Sequence, residues 1–314
     1  LDTKVNSVPS ASSVVSSFDY TVNAIGQRTQ LTTNGIAFDP NFAPNSSQEI
    51  TDWTYNNRGE VVNADNDFND QLDSAYVYDG IGNRTSSVGH DEFNGFSVSK
   101  NYTPNALNQY TGITTSTVQG NVQIASSSPS HDSDGNLTAD GSKSYVWDAE
   151  NRLIEVKDTS GTTLATYTYD YLSRRISRNV VVNGVSERWI YDGWNPITRY
   201  ETSSLLEAYV WGSDLSGSMQ GAGGVGGLLM VTSANGNRFP TYDGNGNVSE
   251  YLKPDGTIAA HYQYDAFGRT IVSTGTEKDD FAHRFSTKPL DATTGWYYYG
   301  YRYYDPETGR WPSR

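Results

Sequence analysis

Aromatic residues recur two positions apart along this chain, and each pair is followed by a turn-forming cluster. From Tyr76 the sequence reads Tyr-Val-Tyr-Asp-Gly-Ile-Gly-Asn-Arg-Thr, and from Tyr145 Tyr-Val-Trp-Asp-Ala-Glu-Asn-Arg-Leu-Ile. From Tyr167 it reads Tyr-Thr-Tyr-Asp-Tyr-Leu-Ser-Arg-Arg-Ile, and from Tyr262 Tyr-Gln-Tyr-Asp-Ala-Phe-Gly-Arg-Thr-Ile. Weaker copies start at Tyr20, Trp53, Tyr102, Trp189, Tyr209 and Pro240, and Asp132 to Leu137 resembles a truncated one. Where copies are closest they lie about twenty to twenty-three residues apart, the length of a two-strand hairpin with its turns, and roughly eleven units fill the chain.

Residues at i and i+2 of an extended strand share a face, so the paired rings can stack on those of neighbouring strands. The Asp then opens a turn by accepting backbone N–H groups, and the following Gly or Asn tolerates the positive φ of a reversal. The pattern predicts an all-β, mainly antiparallel protein with helix confined to short turns. The repeat set Tyr78, Asp79, Arg84; Trp147, Asp148, Arg152; Tyr169, Asp170, Arg174; and Tyr264, Asp265, Arg269 is expected to form a structural ladder, each Arg pairing with its own Asp or a neighbour's. A catalytic constellation is normally singular, whereas a fold signal recurs with every unit.

Composition agrees with sheets of amphipathic rings: 35% of the 314 residues are hydrophobic, 13% are aromatic, and 23 are Tyr. Such rings cover apolar surface while their hydroxyls reach water or a partner. A net charge of −14 argues against direct contact with nucleic acid or an anionic membrane. The absence of cysteine removes disulfides and thiolate chemistry. The longest apolar stretch, Val225 to Val231, is too short to span a bilayer, so no membrane insertion is expected. The chain opens at Leu1 without methionine or leader, which suggests a processed product or a fragment.

The C-terminal segment Phe285-Ser-Thr-Lys-Pro-Leu-Asp291-Ala-Thr-Thr-Gly295-Trp296-Tyr-Tyr298-Tyr-Gly-Tyr301-Arg302-Tyr303-Tyr304-Asp305-Pro306-Glu-Thr-Gly309-Arg310-Trp311 resembles the repeat-associated core of the Rhs and YD-repeat proteins, a family that includes toxin-complex and teneurin shells. With the repeats, the resemblance covers the chain from Tyr20 onward. It implies a long antiparallel sheet spiralling into a hollow shell, which in bacteria often encloses a toxic domain, and a secreted or cell-surface bacterial setting. Self-cleaving members carry two aspartates beyond the position of Trp311. This chain ends at Arg314 without them, so self-cleavage is not expected. The expected layout is Leu1–Ser17 as a strand or linker, Phe18–Thr276 as repeat sheet, and Glu277–Arg314 as a cap. In that cap Trp296, Tyr298, Tyr301, Tyr303 and Trp311 are expected to pack on the sheet. Expected partners are the rest of a parent protein, further copies pairing at open sheet edges, or an enclosed toxin domain. No cofactor or metal is expected.

Several local features invite narrower readings. The Gly217 to Gly227 run lacks the Lys-Ser/Thr ending of a P-loop and reads as a strand connection. Asp132-Ser-Asp134-Gly-Asn136 and Asp243-Gly-Asn-Gly-Asn247 resemble calcium-loop fragments but read better as Asx turns. The histidines His90, His131, His261 and His283 show no zinc-binding spacing, and no Gly-x-Ser-x-Gly elbow occurs. The main rival is a polysaccharide lyase or glycosidase on the same sheet, with candidates His261, Tyr262, Tyr264, Arg269, His283 and Arg284. A third reading is a surface module stacking Tyr and Trp on sugars without catalysis.

Overall fold

In the computed structural model the described residues are 3–7, 14–38, 49–91 and 96–314. They are all-β and antiparallel, with helical geometry only in three-residue 3-10 turns at Ile36–Phe38, Asp70–Leu72 and Phe285–Thr287. Sequential strands pair with their chain neighbours throughout: a ten-stranded sheet runs from Thr3–Ser7 to Gln123–Ser127, a fourteen-stranded sheet from Ser130–His131 to Thr270–Thr274, and a three-stranded sheet follows. Two compact units result, residues 1–130 with 263–271, and residues 131–262 with 272–314. Strand Val14–Val22 runs through position 18 and pairs with Thr3–Ser7, so the N-terminal segment contributes sheet. The remainder of that segment, 1, 2 and 8–13, lies outside the described residues.

Each repeat turn is closed by the same hydrogen bonds. Asp148 Oδ1 accepts from the N–H groups of Glu150 (2.9 Å) and Arg152 (3.0 Å), while Asp170 Oδ1 accepts from Leu172 and Arg174, both at 3.0 Å. Asp79 and Asp265 do the same, as does Asn23 in a weaker copy. The third residue after the Asp adopts positive φ, which is why Gly or Asn recurs there: Gly82 at 94°, Asn151 at 60°, Gly268 at 87°. Asp132 and Asp243 spend their carboxylates in this way, on Asp134, Asn136, Asn245 and Asn247. These oxygens serve the turn, as the Asx reading expects.

The two rings of a unit play different parts. Tyr76, Tyr145, Tyr167 and Tyr262 are buried, whereas Tyr78, Trp147 and Tyr169 are half-buried. A register shift falls just before the second ring in these hairpins, at Val77/Tyr78, Val146/Trp147 and Thr168/Tyr169. The polar tip of the second ring then donates to a backbone carbonyl at the start of the preceding strand: Tyr78 to Val61 (2.9 Å), Trp147 to Leu137 (2.7 Å), Tyr169 to Leu153 (2.7 Å), Tyr191 to Arg175 (2.8 Å). The ring thus satisfies an acceptor that the ladder leaves over, which explains why Tyr and Trp, rather than Leu, occupy these sites.

Three of the four repeat arginines pair with the aspartate of their own unit. Asp148–Arg152 and Asp170–Arg174 pair at 2.7 Å, and Asp265–Arg269 at 3.2 Å. At Asp79 the geometry differs. Asn83 occupies the fourth position after that Asp and donates to its Oδ2 at 2.7 Å. Arg84, one residue further, turns inward and stacks on Tyr76 (4.9 Å) and Phe267 (4.1 Å). A one-residue offset in a strand moves a side chain to the other face.

Candidate functional site

The core-like segment forms a small antiparallel sheet of Leu290–Asp291, Trp296–Tyr298 and Tyr303–Tyr304. Asp291 closes its first reversal and Asp305 the turn that follows its last strand, both in the manner of the repeat turns: Asp291 Oδ1 accepts from Thr293 N (3.0 Å), Asp305 Oδ1 from Glu307 N (3.0 Å), and Gly295 and Gly309 take positive φ at 77° and 67°. Trp296, Tyr298 and Tyr303 join one buried cluster with Tyr145, Leu153, Val156, Ala165 and Tyr167 of the large sheet. Tyr145 and Trp296 stack at 4.4 Å. Two expected members of the packing lie elsewhere. Tyr301 is 66% exposed and pairs with Trp194, while Trp311 is 41% exposed and rests on Tyr299, Tyr304 and the Arg302 guanidinium. Tyr301 sits in the tight reversal between the last two cap strands, whose other face already belongs to Tyr298 and Tyr303.

A buried charge network ties this cap to the sheet. Arg175 (3% exposed) donates from Nη1 to Asp291 Oδ2 at 2.7 Å and to the Tyr303 hydroxyl at 3.0 Å, and its guanidinium lies over the Trp189 and Tyr298 rings. Asp291 is fully buried and also meets Arg178 at 3.4 Å and the Tyr167 hydroxyl at 3.3 Å. Charges then alternate across the sheet from Arg178 to Glu187 (2.6 Å), Arg199 (2.7 Å) and Glu207. The last contact, Arg199 Nε to Glu207 Oε2, is 2.8 Å long but not aligned as a hydrogen bond. Burial pushes the Tyr167 and Tyr298 phenols well above their ordinary range, so both remain neutral. Asp291 belongs to the quoted motif, but Arg175 was not singled out from the sequence. The only hint was its place as the second Arg of Arg174-Arg175, in the inward register that Arg84 also takes.

Beside this network is a cavity of about 240 Å³ lined by residues of the same unit, among them Arg175, Arg199, Trp211, His283, Lys288 and Tyr301. His283 is held edge-on between Tyr209 (5.1 Å) and Trp211 (5.7 Å). Burial, reinforced by the charges of Lys288, Arg199 and Arg175, pushes its pKa down to about 3. Burial likewise lowers Lys288 to about 8, against the opposing charge of Asp214. The glycine-rich run flanks the cavity. Its Ala222 and Gly224 N–H groups donate to Asp214 Oδ2 at 2.7 and 3.0 Å, so a carboxylate of the chain occupies the place a phosphate would take in a cradle.

Of the six residues proposed as a catalytic cluster, Tyr262 and Arg284 meet, while His261 and His283 have other partners. His261 contacts Glu250 at 3.0 Å, both of them buried. Tyr262 donates to the Lys278 carbonyl (2.6 Å) beneath the Arg284 guanidinium, which is itself held by the Phe281 and Lys278 carbonyls. Arg269 and Tyr264 lie in the other compact unit, and His283 faces the cavity. Among the described residues no three His, Asp or Glu side chains cluster as a metal site, and no helix is long and apolar enough to cross a membrane.

A sequence model of the Teneurin YD-shell family matches residues 38–314. The chain belongs to that family. Among curated relatives of this YD-shell chain, the tRNA3(Ser)-specific nuclease WapA of Bacillus spizizenii is 32% identical over 239 residues, which is 74% of this chain and 9% of the nuclease. Toxin subunit YenC1 of Yersinia entomophaga is 30% identical over 190 residues, 53% of this chain and 19% of that subunit. The chain therefore spans a small part of the relatives it matches. In fold it resembles the crystal structure of TcdB2-TccC3-TEV, with a TM-score of 0.62 at 18% identity over 95% of this chain and 17% of that one. The Tc holotoxin pore of Photorhabdus luminescens aligns similarly, with a TM-score of 0.63 at 17% identity over 96% of this chain and 17% of that one.

Proposed function

We propose that this chain is the closing stretch of a YD-repeat shell in a secreted bacterial Rhs-type toxin, and that its sheet walls off a toxic domain carried elsewhere in the same parent protein. The observation that carries the reading is the anchoring of the core-like segment on the repeat sheet through a buried ion pair and an aromatic cluster. Such a lock keeps the last strands of a shell from peeling away. The turns are equivalent from unit to unit, as a wall requires and a single catalytic groove does not. Relatives named as a tRNA nuclease and as a toxin subunit share this segment, which suits a shared container.

Limited proteolysis of the full-length protein tests the reading. The partner domain is expected to survive protease concentrations that degrade it when it is expressed alone. Equal cleavage rates in the two settings refute enclosure.

A further inference from the structure

The cavity beside the cap has a chemistry that neither the fold nor enclosure requires. Among the residues lining it are four cations, Arg175, Arg178, Arg199 and Lys288, and no carboxylate, in a chain whose net charge is −14. The carboxylates that balance the three arginines, Asp291, Glu187 and Glu207, lie outside that lining. Lys288 has no carboxylate within ion-pair distance among the described residues and donates to the Gly223 carbonyl.

Three buried polar atoms of lining residues have no hydrogen-bond partner: Arg199 Nε, which has the Glu207 carboxylate 2.8 Å away, and His283 Nε2 and Arg175 Nε, whose residues are each 3% exposed. A buried donor or acceptor left unsatisfied is costly, so the orphan His283 and Arg175 atoms in one cavity call for an occupant. The walls are flat: the indoles of Trp189, Trp194 and Trp211 and the ring of Tyr209 enclose the same space, and Trp194 with the exposed Tyr301 stands at its rim. At about 240 Å³ the space falls just below the roughly 300–1,000 Å³ of drug-sized sites, which suits a single ring with one polar substituent.

We propose that this cavity binds a small organic acid built on one planar ring, its anionic group held by Lys288, Arg199 and His283 and its ring lying among the indoles. A neutral imidazole can donate or accept through Nε2, and the arginines, with donors only, select an anion. Aromatic walls favour a ring over a bare ion. The proposal does not depend on whether the chain encloses a toxin.

The test is a titration of the 314-residue chain with benzoate and phenyl phosphate, read by tryptophan fluorescence because three of its seven tryptophans line the cavity. Saturable quenching by both acids is expected, with no saturation by benzamidinium and markedly weaker binding of inorganic phosphate. Lys288→Met, which keeps the aliphatic stem, should weaken binding roughly tenfold or more at unchanged melting temperature. Trp194→Phe at the rim should lower the quenching amplitude and serves as the second variant. The proposal is overturned if neither acid saturates up to about 10 mM, if benzamidinium or inorganic phosphate binds as well, or if Lys288→Met leaves the affinity unchanged.

Discussion

Replacing Asp291 with Ala should release the cap from the repeat sheet. The Asp291 carboxylate is fully buried and holds Arg175 at 2.7 Å, Arg178 at 3.4 Å, the Tyr167 hydroxyl at 3.3 Å and the Thr293 N–H at 3.0 Å. Truncation leaves the Arg175 charge buried with only the Tyr303 hydroxyl to receive Nη1. Breaking a buried pair by removing one partner costs about 3–5 kcal/mol, mostly because the remaining charge is uncompensated. The loss is readable as a fall in the urea midpoint followed by tryptophan fluorescence, to which Trp296, stacked on Tyr145 across the same junction, contributes. The double variant Arg175→Met, Asp291→Leu removes both charges and should recover much of the loss, which separates charge from shape. A stability change below about 1 kcal/mol in Asp291→Ala, or a double variant no better than the single one, would refute the anchoring role.

Trp296→Ala and Tyr303→Ala each remove a buried ring from the same cluster and should cost about 3 kcal/mol or more in chemical denaturation, whereas Tyr301→Ala, on an exposed side chain, should cost far less. Asp170→Ala strips two N–H groups of their acceptor and Arg174 of its partner; a loss of about 1–2 kcal/mol is expected, with Asp170→Asn milder because it keeps Oδ1. His283 binds its proton far less readily folded, at about 3, than its ordinary 6.5. The unfolded chain therefore takes up the extra proton between these values, so stability falls as pH drops from 6.5 towards 3, by at most about 1.4 kcal/mol per pH unit. Melting curves of His283→Phe should show a shallower acid decline than those of the parent, and parallel declines would contradict the assignment.

The strands and turns were legible because their determinants are local: an i, i+2 aromatic pair, an Asp whose carboxylate bonds its own turn, and a residue tolerant of positive φ. The pairing of Arg152 and Arg174 followed from the same spacing. What escaped was parity. A single extra residue sends Arg84 and Arg175 inward, where they meet rings and, for Arg175, a carboxylate 116 positions away. No spacing rule reaches that far. Tyr301 and Trp311 misled for a related reason, because composition marks aromatic residues as packing material but cannot tell which face of a three-strand cap is already filled. Of the candidates around His261 and His283, Tyr262 and Arg284 meet, whereas His261 faces Glu250 and His283 the cavity, partners that no local spacing foretells.

The enclosing wall is tested most directly by electron-microscopic class averages of the full-length protein that carries this segment. Hollow, β-walled particles with density for a second domain inside are expected. Solid or open particles, with the partner domain outside the sheet, would contradict enclosure.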